Sequence, residues 1–345
     1  MKTVLVTEKE FDKASEQFSE NSEWAILSVP SEEANLAECV RKHAACCVIV
    51  GVNKYTGLLY EALYEISLKK GITTSYRSLI ARFGVGHDGI DKTLARQRNI
   101  AITNTPGVLS RSVAEYSFWL MGALLRNIVK GDNAVRKGIF PLLIGSELYG
   151  KILLIIGTGA IGLQVARIAR LGFGMRVFAV DRYPLDELAG RMNISVRKFL
   201  NESGIEQYSS NVDILLPQAD IVSLHLAPTL QTRHFMSKSR FDLMKSTAIL
   251  INTSRGHVVN ETDLFETLSS GKIAGAALDV FETEPYQPVN ESTDLRTLNN
   301  IILTPHLGSS SVEANRRMAE SALQNVKLFF EGRFNEMNLI SNKNE

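Results

Sequence analysis

The 345 residues are too many for one ordinary hydrophobic core, so the length predicts two domains. Basic and acidic residues nearly balance, at 38 against 37, which favours neither a nucleic acid nor an anionic membrane as partner. No apolar run has the length of a signal peptide or membrane span, so we expect a cytoplasmic protein. Cys39, Cys46 and Cys47 lack metal-binding spacing, so we expect reduced thiols and no bound metal.

The first hundred residues alternate short apolar runs with amphipathic stretches. The apolar runs predict strands over residues 4–6, 25–29, 46–50, 79–83 and 100–103. The amphipathic stretches predict helices over residues 34–43, 57–69 and 92–97. This alternation is typical of a parallel sheet with helices on its faces.

A turn signal at residues 104–107 precedes a long helix that begins at Ser110 or Ser112, and we interpret residues 106–110 as a domain crossing. The alternation then restarts, with strands predicted over 152–156, 176–180, 221–226, 248–252, 275–279 and 301–304. Helices are predicted over 161–171, 185–192, 238–244, 261–269 and 312–330. Residues 194–214 are polar and irregular, which predicts a surface excursion. The sequence thus predicts an α/β protein with two doubly wound parallel sheets.

Gly157, Gly159 and Gly162 form a G-x-G-x-x-G pattern between an apolar strand and an amphipathic helix. In this context the glycines predict a tight turn, a close approach of the backbone to a pyrophosphate, and close helix–strand packing. Asp181 ends the next strand about 20 residues later, where a carboxylate accepts hydrogen bonds from a ribose. Its charge favours NAD over NADP, although the adjacent Arg182 leaves NADP open.

Three further strand ends in the second half carry polar side chains suited to hydride-transfer chemistry. The turn after residues 248–252 carries Arg255, whose guanidinium fork fits a carboxylate. Residues 279–285 carry three carboxylates, and His306 follows the last strand. Because ligands of open parallel sheets bind at the carboxyl ends of the strands, we expect these groups to form one acid/base site.

These segments, with residues 81–86, 103–108 and 225–228, resemble the D-isomer-specific 2-hydroxy acid dehydrogenases over about residues 45–330. The resemblance implies that His306 is the general acid/base, that Glu284 rather than Glu282 pairs with it, and that Arg255 binds the substrate carboxylate and carbonyl. It implies a substrate loop formed by Gly84, Val85 and Gly86. The cofactor-lining residues that it implies beyond the glycines and Asp181 are Ala160, Ile161, Leu226, Thr253 and Asp279.

The resemblance also implies the domain organisation and the assembly. A flavodoxin-like substrate domain, residues 1–108 and 306–345, would receive an inserted NAD-binding Rossmann domain, residues 109–305, and the protein would be a homodimer. Two alternatives stay open. One is 3-phosphoglycerate dehydrogenase activity, which the absence of an arginine at Val50-Gly51-Val52 disfavours and nearby Lys54 keeps open. The other is an NAD(H)-sensing regulator on the same scaffold.

Overall fold

The computed structural model describes residues 2–20 and 23–340, which form two compact α/β units. The first unit is Met1–Leu109 with Ser310–Glu345, and the second is Ser110–Ser309. Each unit contains one sheet in which every neighbouring pair of strands is parallel. The predicted pair of doubly wound parallel sheets is therefore confirmed. Residues 341–345 of the predicted substrate domain lie outside the described residues.

Five strands form the sheet of the first unit: β1 (Thr3–Thr7), β2 (Ala25–Val29), β3 (Cys47–Val50), β4 (Ser78–Arg82) and β5 (Ile100–Thr103). The helices before the crossing are α1 (Glu8–Lys13), α2 (Ser15–Ser19), α3 (Glu33–Lys42), α4 (Leu58–Lys69) and α5 (Lys92–Gln97). The strand order β2-β1-β3-β4-β5 is the flavodoxin-like order. The residues of β3 and β4 are all buried, as expected for strands that helices cover on both faces.

Seven strands form the sheet of the second unit: β6 (Ile152–Ile156), β7 (Arg176–Val180), β8 (Ile205–Ser209), β9 (Ile221–Leu224), β10 (Ile249–Asn252), β11 (Gly275–Leu278) and β12 (Ile301–Leu303). Its helices are α6 (Ser110–Leu125), α7 (Ile128–Arg136), α8 (Ala160–Phe173), α9 (Leu185–Arg191), α10 (Val196–Ser203), α11 (Val212–Leu215), α12 (Lys238–Phe241) and α13 (Glu261–Ser269). The chain returns to the first unit through α14 (Val312–Phe330).

The order β12-β11-β10-β9-β6-β7-β8 reverses direction between β6 and β9. Such a switch point opens a crevice at the carboxyl ends of the two strands. The core packs on both faces of this sheet, since Leu154 and Ile156 of β6 belong to one hydrophobic cluster while Leu153 and Ile155 belong to another. The loops that follow β6, β9, β10, β11 and β12 therefore emerge from a rigid, buried base.

The prediction of a surface excursion over residues 194–214 is wrong, because these residues form α10, β8 and the start of α11. Ser195 caps α10 by accepting a hydrogen bond from Lys198 N (3.3 Å), and Gly204 ends the helix with a φ of +74°. Strand β8 is the edge of the sheet, and only its first residue is buried. Its polar sequence therefore reflects exposure at the edge rather than irregular backbone.

No helix within residues 2–20 and 23–340 has the length and apolar character needed to cross a membrane.

Candidate active site

A tight glycine turn connects β6 to α8. Gly157 has a φ of +99°, and a Cβ there would lie 2.5 Å from the carbonyl oxygen of His225, which follows β9. A Cβ on Gly162 would lie 2.1 Å from the carbonyl oxygen of Gly157, so neither position accepts a side chain. A Cβ on Gly159 would meet no atom within 4 Å. The turn thus leaves an open cradle at the N-terminus of a 14-residue helix, where backbone amides favour a phosphate group.

Asp181 follows β7 and is tied to this turn. Its Oδ2 accepts hydrogen bonds from Thr158 N (2.7 Å) and Thr158 Oγ1 (2.8 Å). Its Oδ1 accepts one longer bond, from Tyr183 N (3.3 Å). Since a carboxylate oxygen has two lone pairs, Oδ1 retains the capacity to accept a ribose hydroxyl. The sequence predicted Asp181 as a ribose ligand but did not indicate the contact with Thr158.

The other predicted cofactor-lining residues lie in the same unit, either in the first turn of α8 or after a strand. Ala160 is exposed, and Ile161 and Leu226 are half-buried. Thr253 follows β10 and is buried, and its Oγ1 lies 3.0 Å from the hydroxyl of Ser117 in α6. This hydroxyl pair joins α6 to the turn that carries Arg255.

The Arg255 turn is held by Asn252, which is fully buried. Asn252 donates a hydrogen bond to the carbonyl oxygen of Arg255 (2.9 Å) and accepts from Ser254 N (3.0 Å) and Ser254 Oγ (2.8 Å). The next residue has no room for a side chain, because a Cβ on Gly256 would lie 1.8 Å from the carbonyl carbon of Phe281. The arginine turn therefore packs backbone to backbone against the loop that follows β11.

His306 and Glu284 form a direct pair, with His306 Nδ1 2.7 Å from Glu284 Oε2. The other carboxylate oxygen, Oε1, accepts a hydrogen bond from Phe281 N (3.1 Å). Burial raises the pKa of Glu284, but the hydrogen bond and charge of His306 outweigh burial and hold the pKa below its ordinary value. Glu284 is therefore a carboxylate, and Nε2 is the ring nitrogen of His306 that remains to exchange a proton with a ligand.

The loop that carries His306 is held by Asp279, which is 1% exposed. Asp279 Oδ1 accepts hydrogen bonds from Thr304 Oγ1 (2.7 Å) and Leu307 N (2.8 Å), and Oδ2 accepts one from Gly308 N (2.8 Å). Burial raises the pKa of Asp279 despite these bonds. The backbone of His306 has a φ of +57°, a conformation that residues other than glycine rarely adopt. Asp279 thus fixes the histidine loop, and its predicted contact with nicotinamide stays a prediction.

Two glutamates, Glu261 and Glu282, form a pair next to the loop that carries Glu284. Glu282 N donates to Glu261 Oε1 (2.7 Å), and Glu261 N donates to Glu282 Oε1 (3.2 Å). Glu282 Oε2 lies 3.0 Å from His234 Nε2, so the structure brings Glu284, and not Glu282, to His306. Glu261 is 2% exposed, its Oε2 has no hydrogen-bond partner in the described part of the chain, and burial raises the pKa of Glu261 to about 7. The sequence did not indicate a role for Glu261.

The predicted substrate loop, Gly84 to Gly86, belongs to the first unit and follows β4. Gly84 has a φ of +135° and its N–H donates to the carbonyl oxygen of Arg82 (3.0 Å). The next residue, Val85, is 36% exposed. The loop is therefore a tight turn with a glycine where the backbone requires one.

Residues 118–308 match the model of the NAD-binding domain of the D-isomer specific 2-hydroxyacid dehydrogenases. This segment covers more than half of the 345 residues. It contains the glycine turn and Asp181, together with Arg255, Glu284 and His306.

Two curated proteins are similar to this chain. Glyoxylate reductase from Korarchaeum cryptofilum is 40% identical over 260 residues, which are 74% of this chain and 73% of that protein. D-3-phosphoglycerate dehydrogenase from Methanocaldococcus jannaschii is 37% identical over 260 residues, which are 75% of this chain but 46% of that protein. Among solved structures, the apo-structure of D-lactate dehydrogenase from Escherichia coli superposes with a TM-score of 0.78 at 26% identity, covering 96% of this chain and 97% of that one.

The raised pKa of Glu261 predicts a specific dependence of stability on pH. Between about 4.5 and about 7 the unfolded chain ionises this residue while the folded chain keeps it protonated, so Glu261 lowers the free energy of unfolding as the pH rises through that window. We expect Glu261→Gln, which keeps an acceptor for Glu282 N–H, to gain roughly 1–3 kcal/mol relative to the wild type over the same window.

Urea unfolding of both proteins at about pH 5 and about pH 8 measures the difference. Glu266→Gln, an exposed position on the same helix, is the matched control and should show no such gain. Equal pH dependence in the wild type and Glu261→Gln would contradict the buried, protonated state of Glu261.

Proposed function

The chain belongs to the D-isomer specific 2-hydroxyacid dehydrogenase family, and on that basis we propose that it interconverts a small 2-keto acid and its D-2-hydroxy acid with NAD. The observation that carries the proposal is the 2.7 Å contact between His306 and Glu284, in the same unit as Arg255 and the glycine turn. A proton donor, a cation for the carboxylate and a cradle for the dinucleotide are what hydride transfer requires of a protein. The similarity to a glyoxylate reductase supports glyoxylate or a similarly small acid as substrate.

The cofactor would be held by the open turn at Gly159 and by Asp181. Amides at the N-terminus of α8 would bind the pyrophosphate, and Asp181 Oδ1 would accept a hydrogen bond from the adenosine ribose. Ala160, Ile161 and Leu226 would contact the cofactor by backbone and apolar groups. When bound, the nicotinamide supplies or accepts the hydride at carbon 2 of the substrate.

The side chains of the second unit account for the rest of the reaction. In the reductive direction Arg255 binds the substrate carboxylate and polarises the carbonyl. His306 gives the proton on Nε2 to the carbonyl oxygen as that oxygen gains negative charge. Glu284 accepts the hydrogen bond from Nδ1, which fixes the orientation of the ring, and Asp279 holds the loop. In the oxidative direction His306 takes the same proton from the hydroxyl group.

The Gly84 turn belongs to the first unit. We assign the amides of Val85 and Gly86, next to the Gly84 turn, to the carboxylate of the 2-keto acid. In this assignment the N-terminal and C-terminal segments form the substrate-binding domain, and the inserted segment binds NAD.

A 3-phosphoglycerate substrate is the second candidate, because the similarity to a D-3-phosphoglycerate dehydrogenase supports it. The strand end at Val50-Gly51-Val52 carries no arginine for the phosphate, which favours the smaller acids. An NAD(H)-sensing regulator would bind the dinucleotide without turning over any 2-keto acid, so an activity assay separates it from both enzymes.

We propose that the enzyme works as a homodimer in the cytoplasm. The second unit exposes a run of large apolar side chains after α7, including Phe140 (86% exposed), Leu142 (90%) and Ile144 (84%), with Trp119 of α6 (70%) exposed as well. A contiguous apolar segment of this kind is typical of a protein–protein interface. The cysteines at positions 39, 46 and 47 are free, which suits a reducing compartment.

Introducing charge into the apolar segment tests the dimer. We expect the double variant Leu142→Glu and Ile144→Glu to halve the mass that light scattering measures for the wild type, because two buried carboxylates per subunit would oppose association. Leu230→Glu, at a side chain 91% exposed elsewhere in the unit, is the control and should leave the mass unchanged. A monomeric wild type, or an unaltered mass in the double variant, counts against the proposal.

Removing the proton donor tests the proposed reaction. We expect His306→Ala to lower the turnover of glyoxylate with NADH by a factor on the order of 10² or more, because no other group would supply the proton. The dissociation constant of NADH, measured by its fluorescence, should change less than about twofold because His306 is not assigned to the cofactor. His43→Ala in the first unit is the control. Near-normal turnover in His306→Ala would remove His306 as the proton donor.

The charge of Asp181 predicts the choice of cofactor. Asp181→Asn keeps an acceptor for Thr158 but removes the negative charge, so we expect weaker binding of NADH and a smaller preference for NADH over NADPH. The ratio of kcat/KM values for the two cofactors measures the effect, with Asp186→Asn in the first turn of α9 as the control. An unchanged ratio of the kcat/KM values would mean that Asp181 does not bind the adenosine ribose.

A further inference from the structure

In the loop that follows β4 the carbonyl groups accept hydrogen bonds, whereas two of the amides have no partner among the described residues. Each of the four successive carbonyl oxygens from Phe83 to Gly86 accepts a hydrogen bond; the donors are, in order, Arg82 Nη1, Thr105 N (3.0 Å), Asn104 Nδ2 (2.9 Å) and Arg82 Nε (2.7 Å). The N–H groups of Val85 and Gly86 have no hydrogen-bond partner within the described ranges. Two consecutive unpaired amides beside a glycine of positive φ are a typical backbone site for an anion.

The buried side chain of Arg82 stabilises this loop. It is the last residue of β4, is 7% exposed, and bonds the first and the last carbonyl of the loop with one guanidinium group. A Cβ on Gly84 would lie 3.1 Å from both terminal nitrogens of Arg82, so the turn wraps closely around the guanidinium. The planar fork of arginine suits this double contact, since its donors point in fixed directions.

Arg82 belongs to a buried polar group at the carboxyl end of the first sheet. Glu10 is 5% exposed, and a Cβ on Gly51 would lie 2.1 Å from its carboxylate. Burial and the negative charge of Glu10 raise the pKa of Tyr55, and the positive charge of Arg82 opposes them, so both charges lie near Tyr55. The guanidinium of Arg82 is therefore a buried cation whose hydrogen bonds go to backbone carbonyl groups of the loop.

We propose that Arg82 is a positioning residue for substrate binding: it binds the carbonyl oxygens of Phe83 and Gly86 so that the amides of Val85 and Gly86 stay unpaired for the substrate carboxylate. This inference rests on the proposed function, in which those two amides bind the 2-keto acid. The positive charge of the Arg82 guanidinium also favours the binding of an anion at these amides. Arg82 acts through the loop and does not itself take part in the transfer of the proton or the hydride.

The role predicts a change in KM rather than in kcat. Arg82→Gln should raise the KM for glyoxylate on the order of tenfold or more, because the loop loses the two charged hydrogen bonds that order its amides. The kcat at saturating glyoxylate should fall less than about threefold, since His306, Glu284 and Arg255 are untouched. Arg82→Lys should behave like Arg82→Gln, because a single ammonium group does not reproduce the fork.

A second readout does not depend on turnover. The dissociation constant of oxalate, a non-reacting dicarboxylate, measured on the NADH-loaded protein should rise with the KM for glyoxylate in both Arg82 variants. The dissociation constant of NADH should stay within about twofold of the wild-type value. Arg77→Gln, just before the same strand, is the matched control for the loss of an arginine in this unit.

Asn104→Ala keeps the proposal falsifiable if the Arg82 variants do not fold. Asn104 donates from the loop's exposed side to Val85 O (2.9 Å), so its removal should raise the KM and the oxalate constant by a smaller factor without loss of the buried guanidinium. In an active enzyme, an unchanged KM and oxalate constant in the folded Arg82 variants overturns this inference alone, and so does the same result in Asn104→Ala where the Arg82 variants do not fold. A wild type that turns over no 2-keto acid overturns the proposed function instead.

Discussion

The 2.7 Å hydrogen bond between His306 and Glu284 is the constraint on which the site depends. Its two partners lie on separate loops, after β12 and β11, so the bond forms only where both loops are fixed. Asp279 fixes the first loop through three hydrogen bonds, and Gly256 lets the Arg255 turn pack directly on the second. The arginine, the acid and the histidine therefore take their positions from backbone contacts around them, and the chemistry follows from how rigid those contacts are.

The parallel sheet explains why these loops meet. Strands β10, β11 and β12 are neighbours and end at the same edge, and the glycine turn emerges from β6 at the switch point on the same sheet. Burial of carboxyl groups near this edge disfavours their charged form, and this is why the pKa values of Asp279 and Glu261 are raised. Ionising them in the folded chain therefore lowers the free energy of unfolding. In the first unit, too, a buried polar side chain bonds the backbone of a loop, since Arg82 binds two carbonyl oxygens of the loop that follows β4. In both units buried polar side chains shape exposed loops.

The sequence predicted those features that depend on a local pattern. The strand, glycine turn and helix around Gly157 were predicted together because Gly157 and Gly162 have a steric reason and Gly159 keeps the turn open. Strand β8 was missed because an edge strand exposes most of its residues and so lacks an apolar run. The contacts of Asn252, Glu261 and Arg82 were missed for another reason. Their partners are mainly backbone groups, which leave no signal in the residue types, so only the folded chain identifies them.

The central claim is that this site reduces a 2-keto acid with NADH. The most direct test follows the loss of NADH absorbance with purified protein and glyoxylate, hydroxypyruvate, pyruvate or phosphohydroxypyruvate. The account predicts turnover of at least one of the three small acids, faster than of the phosphorylated acid. Faster turnover of phosphohydroxypyruvate would assign the second candidate substrate. Binding of NADH without turnover of any of the four acids would contradict the account.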